Sequence, residues 1–192
     1  MENTLRLAVI VASTREGRFA PTVADWFTPI AEGHGGFEVD VIDVAGLELP
    51  PVHPGWGTSR SDAHGEFAAR VEAADAYVVV TPEYNHSYPA HLKHFIDLHK
   101  DEWKAKAVGF VSYGGVSGGL RAVEHLRGVF AELHAATVRD GVSFHGAWDH
   151  FGEEGKAHDP KGAAGAAKVL LDQLVWWGLT LKNGRDSRPY GA

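Results

Sequence analysis

Short runs of apolar, largely β-branched residues alternate along this sequence with segments whose apolar positions recur at helical spacing. The apolar runs predict five strands, at residues 5–12, 37–44, 76–81, 107–112 and, more weakly, 136–144. The segments between and after them predict helices at residues 21–31, 63–74, 89–100, 120–135 and 163–181. Strand and helix therefore alternate throughout the chain.

Most of the predicted strands are continuously apolar and do not alternate apolar with polar positions. Such strands are typical of a parallel sheet that is buried on both faces, so the pattern predicts a three-layer, doubly wound α/β fold. Folds of this kind bind ligands beyond the carboxyl ends of their strands, where the direction of winding reverses. The loops after strands one, three and four should therefore line one site.

Composition and charge narrow the range of functions. The chain has 192 residues, of which 44% are hydrophobic and 22% charged, values typical of one globular domain spanning residues 1–192. The net charge of −7 provides no positive field for a nucleic-acid backbone. The absence of cysteine excludes a disulfide, a thiolate nucleophile and a cysteine-ligated metal. Because no apolar stretch approaches the roughly 18 residues of a membrane span, we expect a cytoplasmic protein without a membrane partner.

The loop after the first strand carries the groups that a phosphate monoester needs. Ser13 and Thr14 offer hydroxyl donors, and the following helix start, near Pro21, offers free backbone N–H groups. Arg15 and Arg18 add guanidinium groups that can form charge-assisted hydrogen bonds. An ordinary polar loop with two solvated arginines fits the composition equally well, and the position after strand one favours the phosphate site.

The loops after strands three and four are also rich in groups that contact ligands. Residues 81–89 contain two tyrosines and several hydrogen-bonding side chains, which together can bracket a planar heterocycle. Residues 112–119 contain four glycines, so the backbone can approach a ligand closely. A further turn-rich loop spans residues 49–62, and its Trp56 either covers a ligand or packs beneath the loop.

Together the three loops resemble those of the NADPH-dependent FMN reductase family, which includes quinone, azo and chromate reductases. The resemblance is carried by residues 13–18, by residues 81–89 with Leu92-Lys93 and Ile96-Asp97, and by residues 113–122. It implies a flavodoxin-like sandwich with a five-stranded parallel sheet in the order 2-1-3-4-5, and a bound FMN. It also implies a homodimer or homotetramer. Trp176 on the last predicted helix is either a contact between subunits or covered by the C-terminal tail.

The resemblance further implies which residues hold the cofactor. The first loop would hold the FMN phosphate, through Ser13, Arg15, Arg18 and the backbone amides of Phe19 and Ala20. The other two loops would flank the flavin ring, through Pro82, Glu83, Tyr84, Asn85, His86, Ser87, Ser112, Tyr113, Gly114, Gly115 and Ser117. The family commonly has a glycine before the first serine, where this chain has Ala12.

The function that this family resemblance implies is oxidoreduction. Hydride would pass from NADPH or NADH through bound FMN to a quinone, an azo compound, a free flavin or a similar small acceptor. That chemistry belongs to the cofactor, so it requires no catalytic side chain. Because nicotinamide and acceptor would use one exposed ring face in turn, we expect ping-pong kinetics.

Three other functions fit parts of the sequence. Residues 115–119 match the G-x-S-x-G motif of serine hydrolases, with Ser117 as nucleophile. The acid and base would then be Asp140 and one of His145, His150 and His158. His91 and His94 are spaced as a pair of metal ligands, although no third ligand is evident. A flavodoxin-like electron carrier would share fold and cofactor with the reductase and differ in lacking turnover.

Overall fold

The described residues, 4–55, 62–152, 155–158 and 160–191 of a computed structural model, form six strands and five helices. The strands are β1 (Leu5–Val11), β2 (Phe37–Asp43), β3 (Ala76–Pro82), β4 (Ala107–Gly114), β5 (Ala136–Thr137) and β6 (Val142–His145). The helices are α1 (Ala20–Gly33), α2 (Asp62–Ala73), α3 (Ala90–Asp97), α4 (Leu120–Glu132) and α5 (Pro160–Ser187). Trp56, the predicted loop residue that covers a ligand or packs beneath its loop, lies outside the described residues.

All the strands pair in parallel, in the order β2-β1-β3-β4-β5, which confirms the doubly wound architecture and the expected strand order. The predicted fifth strand differs from the prediction because it forms as two pieces, β5 and β6, which both pair with β4. Between the two pieces, Asp140 donates its backbone N–H to the Gln173 side chain of α5, at 3.3 Å, and not to β4. The chain therefore leaves the sheet at this point and rejoins it at Val142.

The continuous apolar strands are explained by a core on each face of the sheet. In β1, Leu7 and Val9 face one layer, whereas Ala8 and Ile10 face the other. The first layer also contains buried residues of α1 and α5, and the second contains buried residues of α2, α3 and α4. Helices thus cover both faces, as the sequence pattern predicted. None of the described helices is both long enough and apolar enough to cross a membrane.

A lysine is buried at the edge of the sheet opposite the carboxyl ends of the strands. Lys106, immediately before β4, is 7% exposed, and its Nζ donates to the Glu72 carbonyl oxygen at 2.6 Å and to the Tyr77 hydroxyl at 3.1 Å. Burial, assisted by the nearby Arg185 charge, lowers the pKa of Lys106 from its ordinary 10.5 to about 8.

The contribution of Lys106 to the free energy of unfolding should therefore rise with pH between about 8 and 10.5. In this range Lys106 is mostly neutral in the folded chain and mostly protonated in the unfolded chain. Folding therefore releases a proton, and raising the pH favours the folded state. Between pH 7 and pH 10, we expect wild type to gain about 2 kcal/mol in free energy of unfolding relative to Lys106→Met, measured by urea denaturation. Lys168→Met, at an exposed lysine, should behave as wild type. Parallel pH profiles for wild type and Lys106→Met would contradict this expectation.

Candidate functional site

The carboxyl ends of β1, β3 and β4 lie side by side, because the three strands are parallel and in close register. Val11 of β1 is the partner of Val80, and Pro82 of β3 is the partner of Tyr113. Ala12 extends β1 by donating its N–H to the Val80 carbonyl oxygen at 3.0 Å. The loops that follow these three strands are therefore brought to one edge of the sheet, as the sequence predicted.

The first and second of these loops touch through Ser13, Arg15 and Tyr84. Ser13 is fully buried, and its Oγ lies 2.6 Å from the Tyr84 hydroxyl oxygen. The Arg15 guanidinium carbon stands 4.3 Å from the centre of the Tyr84 ring, a cation–π geometry. A hydroxyl and a guanidinium that the sequence predicted for phosphate binding thus lie together at the site.

The start of α1 adds backbone donors to this loop. Phe19 is the N-cap residue and makes no side-chain capping bond, and Pro21 lies in the first turn. Within the described part of the chain, the N–H groups of Phe19 and Ala20 donate to no backbone carbonyl. A helix start with free N–H groups and a positive dipole end favours an anion.

Arg18, one of the predicted phosphate ligands, pairs with Asp43 at the end of β2. Its two terminal nitrogens contact the two carboxylate oxygens of Asp43, at 2.5 and 2.6 Å, and one of them also donates to the Ser13 carbonyl oxygen at 2.8 Å. The Asp43 hydrogen bonds raise the pKa of Arg18, although burial opposes the shift. Arg18 therefore fastens the first loop to the end of β2.

The second loop contains a tight turn whose two central residues have left-handed backbone conformations. Tyr84 and Ser87 exchange backbone hydrogen bonds of 2.8 and 3.1 Å, while Asn85 has φ 48° and His86 has φ 72°. Positive φ at both central positions is the pattern of a type I′ turn. Among the described residues, the N–H groups of Asn85 and His86 donate to no backbone carbonyl. They are two neighbouring donors at the carboxyl edge of the sheet.

Glu83 joins the second loop to the third. Its carboxylate accepts hydrogen bonds from the Ser117 hydroxyl, from the Arg121 backbone N–H at 3.3 Å and from the Arg121 guanidinium at 3.0 Å. Burial acts to raise the pKa of Glu83, but these hydrogen bonds outweigh it and hold the pKa below its ordinary value. The Glu83 side chain, predicted to contact a flavin ring, is therefore occupied in tying two loops together.

The third loop presents backbone at the site. Ser112 is buried, and its hydroxyl donates to the Gly118 carbonyl oxygen at 2.8 Å. Tyr113 is 5% exposed, and burial together with the neighbouring Tyr84 raises its pKa. Gly114 is partly exposed and Gly115 is exposed. Of the residues predicted to flank a ring, Ser112 and Tyr113 are therefore buried beneath the loop, and Gly114 and Gly115 leave their backbone accessible.

The geometry does not assemble the alternative sites. The Ser117 hydroxyl bonds the Glu83 carboxylate, whereas a serine hydrolase requires a histidine in that position. Asp140 is engaged by Arg139 at 2.6 Å and by the Gln173 amide. Both ring nitrogens of His94 have partners, His53 Nε2 at 3.0 Å and the Pro50 carbonyl oxygen at 2.7 Å. In the part of the chain that the structure describes, no group of three or more potential metal ligands converges.

Two residues of the site were not predicted from their chemistry. Asp43 gave no signal beyond its place at the end of a predicted strand, and it is the ion-pair partner of Arg18. Arg121 lay inside the segment 113–122 that carried the family resemblance, but no role was assigned to it. Its contact with Glu83 spans 38 positions in the sequence.

The chain is similar in sequence to a family of known proteins. Residues 5–149 match the model of a family described as NADPH-dependent FMN reductase. An NAD(P)H-dependent FMN reductase of Schizosaccharomyces pombe is 33% identical over 143 residues, covering 70% of this chain and 72% of that protein. A 2-hydroxy-1,4-benzoquinone reductase of a Burkholderia species is 31% identical over 136 residues, covering 67% of this chain and 72% of that protein.

Solved structures share the fold. A flavoenzyme NAD(P)H:(acceptor) oxidoreductase of Paracoccus denitrificans superposes with a TM-score of 0.75 at 22% identity, covering 92% of this chain and 98% of that one. A flavodoxin variant of Pseudomonas aeruginosa superposes with a TM-score of 0.56 at 18% identity, covering 93% of this chain and 99% of that one. The architecture is therefore flavodoxin-like, as the family resemblance implied.

Proposed function

The chain belongs to the NADPH-dependent FMN reductase family, and we propose from this membership that it works as an FMN-dependent NAD(P)H oxidoreductase. The acceptor in this proposal is a quinone, an azo compound, a free flavin or a similar small molecule. The observation that carries the proposal is the meeting of three loops at one sheet edge. A guanidinium, exposed glycine backbone and N–H groups that donate to no backbone carbonyl of the described residues lie together there.

The first loop fits an FMN phosphate. We assign the phosphate to Ser13, Arg15, Arg18 and the backbone amides of Phe19 and Ala20. The N–H groups of Phe19 and Ala20 at the start of α1 and the Arg15 guanidinium suit a dianion. Arg18 contributes its charge from nearby, while its terminal nitrogens hold Asp43 and the Ser13 carbonyl oxygen.

The other two loops fit the flavin ring. We assign the ring to residues 82–87, to residues 112–115 and to Ser117. The N–H groups of Asn85 and His86 suit the polar edge of the ring, and the glycine backbone at Gly114 and Gly115 leaves room for its flat face. Glu83, through Ser117 and Arg121, fixes the distance between these two loops.

The chain's own residues bind, orient and tune the cofactor. Bound FMN supplies the hydride chemistry. The Arg15 guanidinium and the N–H groups of Asn85 and His86 form a preorganised set of donors that favours negative charge at the site. Tyr84 keeps this set in place, because its hydroxyl bonds Ser13 and its ring lies under Arg15.

The proposal also covers organisation and location. The chain would act as one flavodoxin-like domain, in the cytoplasm, where its nicotinamide reductant is available.

The protein would assemble as a homodimer or homotetramer, since Trp176 and Trp177 on α5 are 61% and 41% exposed. Sedimentation of the purified protein measures the assembly directly, and a monomer at micromolar concentration would contradict it.

The absorbance spectrum of the purified protein tests the function. We expect the yellow spectrum of bound flavin, either as purified or after addition of FMN. The colour should disappear when NADPH or NADH is added without oxygen, and it should return when 1,4-naphthoquinone is added. Steady-state rates with varied NADPH and naphthoquinone should follow a ping-pong pattern. A protein that takes up no FMN would refute the proposal, and one that binds FMN without being reduced by either nicotinamide would be an electron carrier instead.

A further inference from the structure

An exposed tryptophan stands beside the glycine-rich loop between β4 and α4. Trp148 lies in the short 3₁₀ turn Ala147–His150 and is 63% exposed. The Cη2 atom of its six-membered ring is 3.9 Å from the point that a Cβ on Gly115 would occupy. Since Gly115 is one of the residues assigned to the flavin ring, the indole stands at the rim of the proposed cofactor site.

The turn that carries Trp148 is anchored on both sides. Ala147 is fully buried, and Phe151 is 6% exposed. The Phe151 ring packs against Phe19 and Trp26, with ring centroids 5.5 and 6.4 Å apart. Because its neighbours are fixed in the core, the backbone that holds the indole outward is already ordered. A ring that binds against the indole would therefore bear little cost for ordering the protein.

Three hydrogen bonds set the position of this segment relative to the glycine-rich loop. The Gly146 N–H donates to the Gly115 carbonyl oxygen at 2.9 Å, and His145 Nδ1 lies 2.9 Å from the Val116 carbonyl oxygen. The Ser143 hydroxyl donates to the Gly118 carbonyl oxygen at 2.8 Å. The segment that leads into the Trp148 turn is therefore hydrogen-bonded to the glycine-rich loop.

We propose that Trp148 forms the side wall of the space over the flavin ring and favours planar aromatic acceptors over compact ones. This inference rests on the proposed function. A planar acceptor must lie over the flavin to receive hydride, and an indole at the rim adds apolar and ring–ring contact to that pose. Val116 on the glycine-rich loop, 95% exposed, and Leu120 at the start of α4, 50% exposed, add further apolar surface. An octahedral inorganic ion such as ferricyanide gains nothing from this contact.

Steady-state kinetics of Trp148→Ala and Trp148→Phe test the inference. With saturating NADPH, Trp148→Ala should raise the KM for 1,4-naphthoquinone about three- to tenfold with kcat unchanged, and Trp148→Phe should restore most of the loss. The KM for ferricyanide should stay at the wild-type value in both variants. Tyr190→Ala is the matched control, because Tyr190 is also an exposed aromatic residue, 48% exposed, but lies beside His134, away from the three loops of the site. It should leave both KM values unchanged.

The outcomes separate this inference from the function on which it rests. Wild-type protein that NADPH does not reduce would refute the function itself, before any variant is compared. Wild-type turnover together with an unchanged naphthoquinone KM in Trp148→Ala would refute only the role of Trp148. An equal rise for naphthoquinone and ferricyanide would overturn it as well, since it would indicate general damage to the site. A change of oligomeric mass confined to the Trp148 variants would show that the indole faces a second subunit, and would also overturn it.

Discussion

Replacing Gly119 with alanine should lower the free energy of unfolding by about 3 kcal/mol and weaken FMN binding at the same time. Gly119 precedes α4 with φ 84°, a conformation that costs an L-residue about 1 kcal/mol. Its Cβ would also stand 2.8 Å from the Tyr113 backbone nitrogen and 2.7 Å from the Ser112 Cβ. These atoms belong to the end of β4, so relieving the contact requires moving the strand end that supports the third loop.

Gly35→Ala is the control that separates the cost of a positive φ from the cost of close contacts at the new Cβ. Gly35 has φ 79°, but among the described residues no atom lies within 4 Å of the position that its Cβ would take. It should therefore lose only the conformational part, about 1 kcal/mol, and keep wild-type affinity for FMN. Urea denaturation of the FMN-free proteins and FMN titration check the two effects. Equal losses of stability in the two variants would mean that the close contacts at Gly119 carry no cost.

Replacing Arg15 with alanine should raise the dissociation constant for FMN about ten- to hundredfold while leaving that for riboflavin near its wild-type value. The expected loss is that of a charge-assisted hydrogen bond to phosphate, about 1.5–3 kcal/mol. Riboflavin carries the same ring without the phosphate, so it reports on the other two loops alone. Titration of the FMN-free protein, followed by quenching of flavin fluorescence, measures both constants.

Arg6→Ala is the matched control for the loss of one positive charge. Arg6 lies in β1 at the opposite edge of the sheet, with 62% of its side chain exposed. Its FMN affinity should be that of wild type, because a solvated charge at that distance is screened. If Arg15→Ala weakened riboflavin and FMN by the same factor, Arg15 would support the ring site through Tyr84 and would not hold the phosphate.

The order of the elements could be predicted from the sequence because burial leaves a local signature. Strands covered by helices on both faces are apolar at every position, and the helices show their apolar stripe at every third or fourth residue. The bounds of β1 and β2 agree with the prediction to within one residue. The last helix is longer than predicted, Pro160–Ser187 instead of 163–181, because its polar ends carry no apolar pattern.

The division of the fifth strand could not be predicted from local sequence patterns. Residues 136–144 have the composition of one weak strand, but the backbone of Asp140 bonds a glutamine on α5 that lies 33 positions away. No local pattern encodes that partner. The resulting break divides the strand into β5 and β6 and directs the chain after β6 toward the turn that bears Trp148.

The amino-acid sequence was enough to predict that three loops rich in ligand-binding groups follow three parallel strands. It therefore also predicted that Ser13, Arg15, residues 82–87 and residues 112–117 share one edge of the sheet. That result needs only local patterns and the geometry of parallel sheets. The tertiary structure alone decided how the charged side chains pair: Arg18 with Asp43, and Glu83 with Ser117 and Arg121. These partners are 25 to 38 positions apart. Which polar groups meet depends on loop conformation and on distances of a few ångströms, and the period of apolar residues carries no information about either.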